Sequence, residues 1–71
     1  MQRRFEFVGG SSAKFWSVEV KDTTVTVQYG RIGTDGQTNT KSFADHASAT
    51  KHAEKLISEK LGKGYVECAA V

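Results

Sequence analysis

Residues 14–29 read KFWSVEVKDTTVTVQY, and this stretch decides the fold. Three apolar residues in its first half share one face of an extended chain: Trp16, Val18 and Val20. Residues 23–29 are β-branched or aromatic at nearly every position, a composition typical of strands. Because the polar pair Lys21-Asp22 separates the two runs, the stretch predicts an antiparallel hairpin.

Weaker strand patterns lie on both sides of this hairpin. Alternation predicts a strand over about residues 2–8, and the small residues 9–12 interrupt it. After the hairpin, Asp35-Gly36 is a strong turn signal because glycine tolerates a positive φ. Residues 37–43 then alternate among polar side chains, which predicts an edge strand. The sequence therefore predicts about four antiparallel strands.

The pattern becomes helical after Asp45, whose carboxylate can cap a helix over about residues 46–61. Five apolar residues form the expected buried stripe: Ala49, Ala53, Leu56, Ile57 and Leu61. Four charged residues form the expected solvated face: Lys51, Glu54, Lys55 and Glu59. Lys60 and Lys63 suit the negative end of the helix dipole. The predicted fold class is α+β, an antiparallel sheet with one helix packed on one face.

The length and composition of the chain limit its function. Its 71 residues can form a single small core, so we expect one domain over residues 1–71 without a deep catalytic cleft. We expect a core over about residues 3–67, with Tyr65-Val66 docking on it and the tail fraying from Glu67 onward, residues 68–71 included. No run approaches the roughly 18 apolar residues of a membrane span. The single cysteine favours a reducing, cytoplasmic location.

The formal charge of +2 is unevenly distributed. Residues 1–43 hold six bases and four acids, whereas residues 44–71 hold four of each. This excess is smaller than nucleic-acid-binding domains usually carry. Charge alone therefore permits a nucleic-acid partner without requiring one.

Several residue groups have the right types for chemistry but the wrong spacing. Gly30, Gly33 and Gly36 do not match a dinucleotide or P-loop fingerprint, so we interpret them as turn residues. His46 and His52 are six positions apart on the predicted helix and point to different sides, which argues against a shared metal. Asp45, His46 and Ser48 are better explained by helix capping than by a hydrolytic triad.

The aromatic residues leave two interpretations open. Phe15 and Trp16 are adjacent on a strand, so only one of them can lie under the helix. The other is either covered by the N-terminal strand or the Tyr65-Val66 segment, or exposed as a contact residue. Tyr29, followed by Gly30-Arg31, is either a core residue beside a surface arginine or a ring that packs on a sugar or base. In the second case the guanidinium would reach a phosphate.

Several segments, taken in order, resemble one known family, the WGR domain, over roughly residues 3–67. The segments are Lys14-Phe15-Trp16, Tyr29-Gly30-Arg31-Ile32-Gly33, Lys41-Ser42-Phe43, and Lys55-Leu56-Ile57-Ser58-Glu59-Lys60 leading to Lys63-Gly64-Tyr65. WGR domains are named for a Trp-Gly-Arg motif and occur in DNA-damage-responsive poly(ADP-ribose) polymerases and in many bacterial proteins, some of them freestanding. The resemblance implies a twisted antiparallel sheet with one packed helix.

The resemblance also implies contact with DNA. In the polymerases the motif Trp packs against a terminal nucleotide near a strand break, and the motif Arg links DNA to neighbouring domains. By position these roles fall to Tyr29 and Arg31, with Gly30 between them. Tyr stands where Trp names the motif, and it offers a smaller ring. The 71 residues include no polymerase catalytic domain, so ADP-ribose transfer is not implied.

We therefore hypothesise a non-catalytic module that recognises DNA at ends or nicks through Tyr29, Gly30, Arg31, Lys14 and Lys41. The alternative is a protein–protein interaction adaptor that uses the same surface without DNA. Under either hypothesis we expect no cofactor, no metal, no membrane contact and no small-molecule substrate.

Overall fold

The computed structural model describes residues 1–68, which form a five-stranded antiparallel sheet with one helix packed on it. The elements are β1 (Gln2–Gly9), β2 (Ser12–Lys21), β3 (Thr24–Arg31), β4 (Gln37–Ser42), α1 (His46–Gly62) and β5 (Val66–Cys68). The strand order in the sheet is β4-β3-β2-β1-β5. The predicted α+β class is confirmed, with one strand more than expected. No helix in this described part is long and apolar enough to cross a membrane.

The β2–β3 hairpin supplies the centre of the core. Its register sets apolar residues directly opposite each other in three pairs: Trp16 with Tyr29, Val18 with Val27, and Val20 with Val25. Across the other edge of β2, Phe5 of β1 pairs with Trp16, and their ring centroids are 5.7 Å apart. Because directly paired residues share a face, this register gives the sheet one apolar face. We call it the helix face.

Helix α1 covers the helix face with its smallest residues. Ala49, Ala53 and Ile57 are buried, and the two alanines let the helix approach the sheet closely. The prediction that Leu61 belongs to the buried stripe is wrong, because this residue is 50% exposed. At 3.6 residues per turn, Leu61 is rotated by about 120° from Ala49, so the last turn carries it off the buried side. The four charged residues of the predicted solvated face are all exposed.

Strand β5 corrects the expectation of a frayed tail. Glu67 pairs with Phe5 and Cys68 with Arg4 on the edge of β1. Glu67 also accepts two hydrogen bonds from the Arg3 guanidinium, at 2.6 and 2.7 Å, which lower the pKa of that carboxyl. Fraying is therefore wrong for Glu67 and Cys68, because a cross-strand ion pair and a short ladder hold them. Residues 69–71 of the predicted tail lie outside the described residues.

Phe15 and Trp16 face opposite sides of the sheet, and both are buried, at 3% and 4% exposure. Trp16 belongs to the core under α1. Phe15 is covered on the other face by the Arg4 guanidinium of β1, 4.6 Å from its ring centroid. The β3–β4 loop adds cover near Gly36, where a side chain would meet the Phe15 ring. Phe15 therefore lies in a second small core, and the N-terminal strand supplies part of its cover, as in the first of the two interpretations.

The helix cap gives a first testable prediction. Oδ1 of Asp45 accepts a hydrogen bond from the Ser48 amide at 2.7 Å, and this bond lowers the pKa of Asp45. We expect Asp45→Ala to lower the melting temperature. Asp45→Asn keeps a capping oxygen, so its melting temperature should stay close to that of the wild type. The difference in stability between the wild type and Asp45→Ala is fully present above the unfolded-state pKa of about 3.9. It is lost as pH falls through the lower folded-state pKa.

Thermal unfolding followed by circular dichroism at neutral and acidic pH measures this difference. Identical melting temperatures for the three proteins at neutral pH would show that the cap contributes nothing.

The β3–β4 loop gives a second prediction. Gly36 has φ of 67°, and a Cβ there would collide with the Tyr29 carbonyl oxygen. Gly36→Ala is therefore expected to reduce the free energy of unfolding by about 2 kcal/mol or more. In the matched control Gly62→Ala, the added methyl meets nothing within 4 Å, so stability stays within about 1 kcal/mol of wild type. Urea titration compares the two, and equal effects would refute the assigned loop geometry.

Candidate functional site

Tyr29 is fixed at the end of the hairpin by contacts at both ends of its side chain. Its ring is half-buried and packs against the core beneath α1. Its hydroxyl donates to Oε1 of Gln37 at 3.2 Å and accepts from Nδ2 of Asn39 at 3.2 Å. Both partners belong to β4. The core and the neighbouring strand therefore set the orientation of the ring, and its uncovered part faces the groove described below.

Gly30 allows the loop after β3 to fold back closely. A Cβ on Gly30 would lie 2.7 Å from the Cα of Gly36. The backbone carbonyl of the next residue, Arg31, accepts from the Thr34 amide at 3.1 Å and from the Thr34 hydroxyl at 2.7 Å. The backbone that carries Arg31 is therefore held in place while its side chain stays exposed.

Lys14 and Arg31 lie directly opposite each other in the β2–β3 ladder. Trp16 and Tyr29 are the next pair on the same face. Within residues 1–68, neither Lys14 nor Arg31 forms an ion pair with a carboxylate. The ladder therefore places two positively charged residues next to an aromatic pair on the helix face.

A groove of about 330 Å³ opens at this place. We call it the cationic groove, and its principal lining residues are Lys14, Trp16, Tyr29, Arg31, Lys60 and Tyr65. None of the described residues that line it is acidic. The groove combines positive charge, aromatic surface and an open shape, which suits an anionic ligand with a flat or apolar part.

Lys60 is a groove residue that the sequence pattern had placed only at the end of the helix. Its Nζ lies 5.7 Å from the Trp16 ring centroid and 5.4 Å from that of Tyr65. Burial lowers the pKa of Lys60, and the positive charges of Lys63 and Lys14 lower it further, against the opposing effect of Glu59. A signal was present in the sequence, since at 3.6 residues per turn Lys60 lies only about 20° around the helix from Ala49.

Lys41 does not join the cationic groove. It pairs with Val25, whereas Tyr29 pairs with Gln37, so four residues of β4, about 13 Å, separate the two positions along the strand. Lys41 instead lines a second, largely apolar groove with His52 and Leu56. Of the five predicted DNA-binding residues, the structure brings together Lys14, Tyr29, Gly30 and Arg31.

The two histidines make separate structural contacts. Nδ1 of His46 donates to the Asp22 carbonyl at 2.7 Å, which ties the start of α1 to the β2–β3 turn. The His52 ring packs against Phe43, with centroids 4.9 Å apart. Over residues 1–68, no group of three or more His, Cys, Asp or Glu side chains could hold a metal ion.

Comparison with known proteins identifies several relatives. The chain is 45% identical over 67 residues to protein YehF of Escherichia coli K12 and 37% identical over 67 residues to protein YfeS of the same organism. Each match covers 94% of this chain but only 24% and 28% of those relatives. A crystal structure of a Bacteroides fragilis protein superimposes with a TM-score of 0.94 at 52% identity. That match covers 97% of this chain and 20% of the solved one.

The chain therefore corresponds to about a quarter or less of the length of these relatives, and their names state no ligand or reaction. The family model for the WGR domain matches residues 1–70, almost the whole chain. The segments that resembled this family in the sequence fall on the β2–β3 hairpin, the end of β4 with Phe43, and the end of α1. This chain belongs to the WGR domain family.

Proposed function

We propose that this domain is a non-catalytic module that binds DNA at ends or nicks through the cationic groove. The observation that supports the proposal most strongly is the register of β2 and β3. It sets Lys14 and Arg31, neither of which pairs with a carboxylate within residues 1–68, at opposed positions next to the half-buried ring of Tyr29. Cations of this kind bind phosphates, and an aromatic ring beside them packs on a sugar or a base.

The geometry supports a different contact role for each of these residues. Arg31 presents a planar guanidinium that can bind a phosphate through two parallel hydrogen bonds, while Lys14 acts as a point charge. Tyr29 uses its hydroxyl for Gln37 and Asn39, so its ring is the part that meets DNA. Strand ends and nicks expose sugars and bases that an intact duplex keeps stacked, and such groups fit a half-buried aromatic ring.

We assign Lys41 only a minor contribution to DNA binding. It lies on the helix face, as Tyr29 does, but about 13 Å farther along β4. We expect it to contribute only when the bound duplex is long enough to reach it.

Membership of the WGR family supports a binding role, because the polymerase members use this motif to contact DNA near strand breaks. Asp45, His46 and Ser48, the residue types of a hydrolytic triad, all make structural contacts. Asp45 and Ser48 close the helix cap, and His46 holds the β2–β3 turn.

The direct test is titration of a labelled nicked duplex with purified domain at several salt concentrations. We expect binding that weakens steeply with salt, because cations that neutralise phosphates release counterions. Arg31→Ala should weaken binding by roughly tenfold or more, on the order of 1–3 kcal/mol. Lys51→Ala is the matched control: it removes one positive charge from the exposed side of α1 and should change affinity by less than about twofold.

Absent or salt-insensitive binding of the wild-type domain at micromolar concentration would contradict the proposal. Equal affinities for Arg31→Ala and Lys51→Ala would remove Arg31 from the binding surface.

The alternative function is a protein-interaction adaptor that uses the same surface. The observation in its favour is that the exposed guanidinium of Arg31, which pairs with no carboxylate in the described part of the chain, suits a carboxylate of a partner chain as well as a phosphate. Capture of a defined protein that survives nuclease treatment, and that Arg31→Ala abolishes, would favour the adaptor over DNA.

A further inference from the structure

Lys60 is placed in the cationic groove by the geometry of the helix end. The Lys60 carbonyl accepts hydrogen bonds from the amides of Lys63 and Tyr65, both at 3.1 Å. This turn brings the Tyr65 ring beside the Lys60 side chain, and the Tyr65 ring rests on Phe7 with centroids 5.6 Å apart. Gly64, at φ of 97°, allows the turn. Lys60 and Tyr65 therefore form one wall of the groove that Lys14 and Arg31 also line.

Within residues 1–68, Lys60 forms no side-chain hydrogen bond or ion pair, although it is half-buried. Burial lowers the pKa of Lys60, and the positive charges of Lys63 and Lys14 lower it further, against the opposing effect of Glu59. Lys14, Arg31 and Lys60 line one groove whose described lining includes no acidic residue. Like charges in one groove repel each other, and a bound anion relieves that repulsion.

The shape of the groove limits what the anion is. Its volume of about 330 Å³ lies at the small end of small-ligand sites, which span about 300–1,000 Å³. The rings of Tyr29 and Tyr65 flank the cations. A phosphate with the sugar attached to it matches this combination of charge and aromatic surface.

We infer that Lys60 is a phosphate-binding residue. Together with Lys14 and Arg31 it holds the backbone phosphodiester next to a sugar that packs between Tyr29 and Tyr65. This inference rests on the proposed DNA-binding function and assigns to the end of α1 a role that the Tyr-Gly-Arg motif does not include. The binding site is then formed by the sheet and the helix together.

The test compares three variants in the same salt-dependent titration, with a nicked duplex that carries no terminal phosphate, so that only diesters are present. Lys60→Gln should weaken binding by roughly tenfold and reduce the slope of log affinity against log salt by about one. Lys51→Gln removes the same charge from the exposed side of α1, about 180° around the helix from Lys60, and should leave both values near wild type. Lys60→Arg keeps the charge and should restore most of the affinity.

Two controls separate binding from folding. Melting temperatures show whether Lys60→Gln remains folded after losing its contact with the Trp16 ring. Trp16 is the only tryptophan and lies 5.7 Å from Lys60, so its fluorescence reports on this wall of the groove directly. Added inorganic phosphate should change the emission of the wild type and not that of folded Lys60→Gln.

The outcomes distinguish a failure of the proposed DNA-binding function from a failure of the role assigned to Lys60. If the wild-type domain does not bind DNA, the proposed function itself fails. If the wild type binds and Arg31→Ala weakens binding, but Lys60→Gln behaves like Lys51→Gln, the assignment of Lys60 is wrong and the proposed function stands.

Discussion

The pairing of Trp16 with Tyr29 across β2 and β3 is the constraint on which the rest of this structure depends. It puts Val18 opposite Val27 and Val20 opposite Val25, which creates the apolar surface that α1 covers. The same register sets Lys14 opposite Arg31 one pair farther along the same face, beyond the edge of the core. Because side chains alternate along a strand, a shift of either strand by one residue would turn all of that strand's side chains to the opposite face. Core and candidate site are therefore specified together, by one ladder of backbone hydrogen bonds.

Small residues then bring the other parts of the site close to this ladder. Ala49 and Ala53 let α1 lie near the sheet, so that its final turn delivers Lys60 over the Trp16 ring. Gly30 and Gly36 let the β3–β4 loop fold against β3, which closes the second core around Phe15 and steadies the backbone of Arg31. The groove thus receives its charges from three elements, and each is positioned by packing that also stabilises the fold.

Much of this arrangement could be predicted from the sequence, and the exceptions have physical causes. The alternation in β2 and β3 and the capping residue Asp45 are local signals, and both are confirmed. β5 has only three residues and is held by Arg3, 64 positions away from Glu67, so no local pattern could reveal it. Lys60 suits the helix dipole by its place in the last turn, which gave no reason to assign it to the site, whereas its angle on the helix places it with Ala49. The positive charge of the groove is therefore not confined to the first half of the chain, because Lys60, one of its three cations, lies in the second half.

If the proposed function is correct, the cationic groove, and neither the apolar groove beside Lys41 nor the sheet face opposite α1, is the surface that meets DNA. Amide chemical-shift mapping of the isotopically labelled domain, titrated with a nicked duplex, tests this assignment residue by residue. We expect the largest shifts at residues 11–16, 29–31 and 60–65, which meet at one end of the sheet. Shifts centred on residues 39–41 and 52–56, or on outward-facing positions such as Glu19 and Thr26, would refute it.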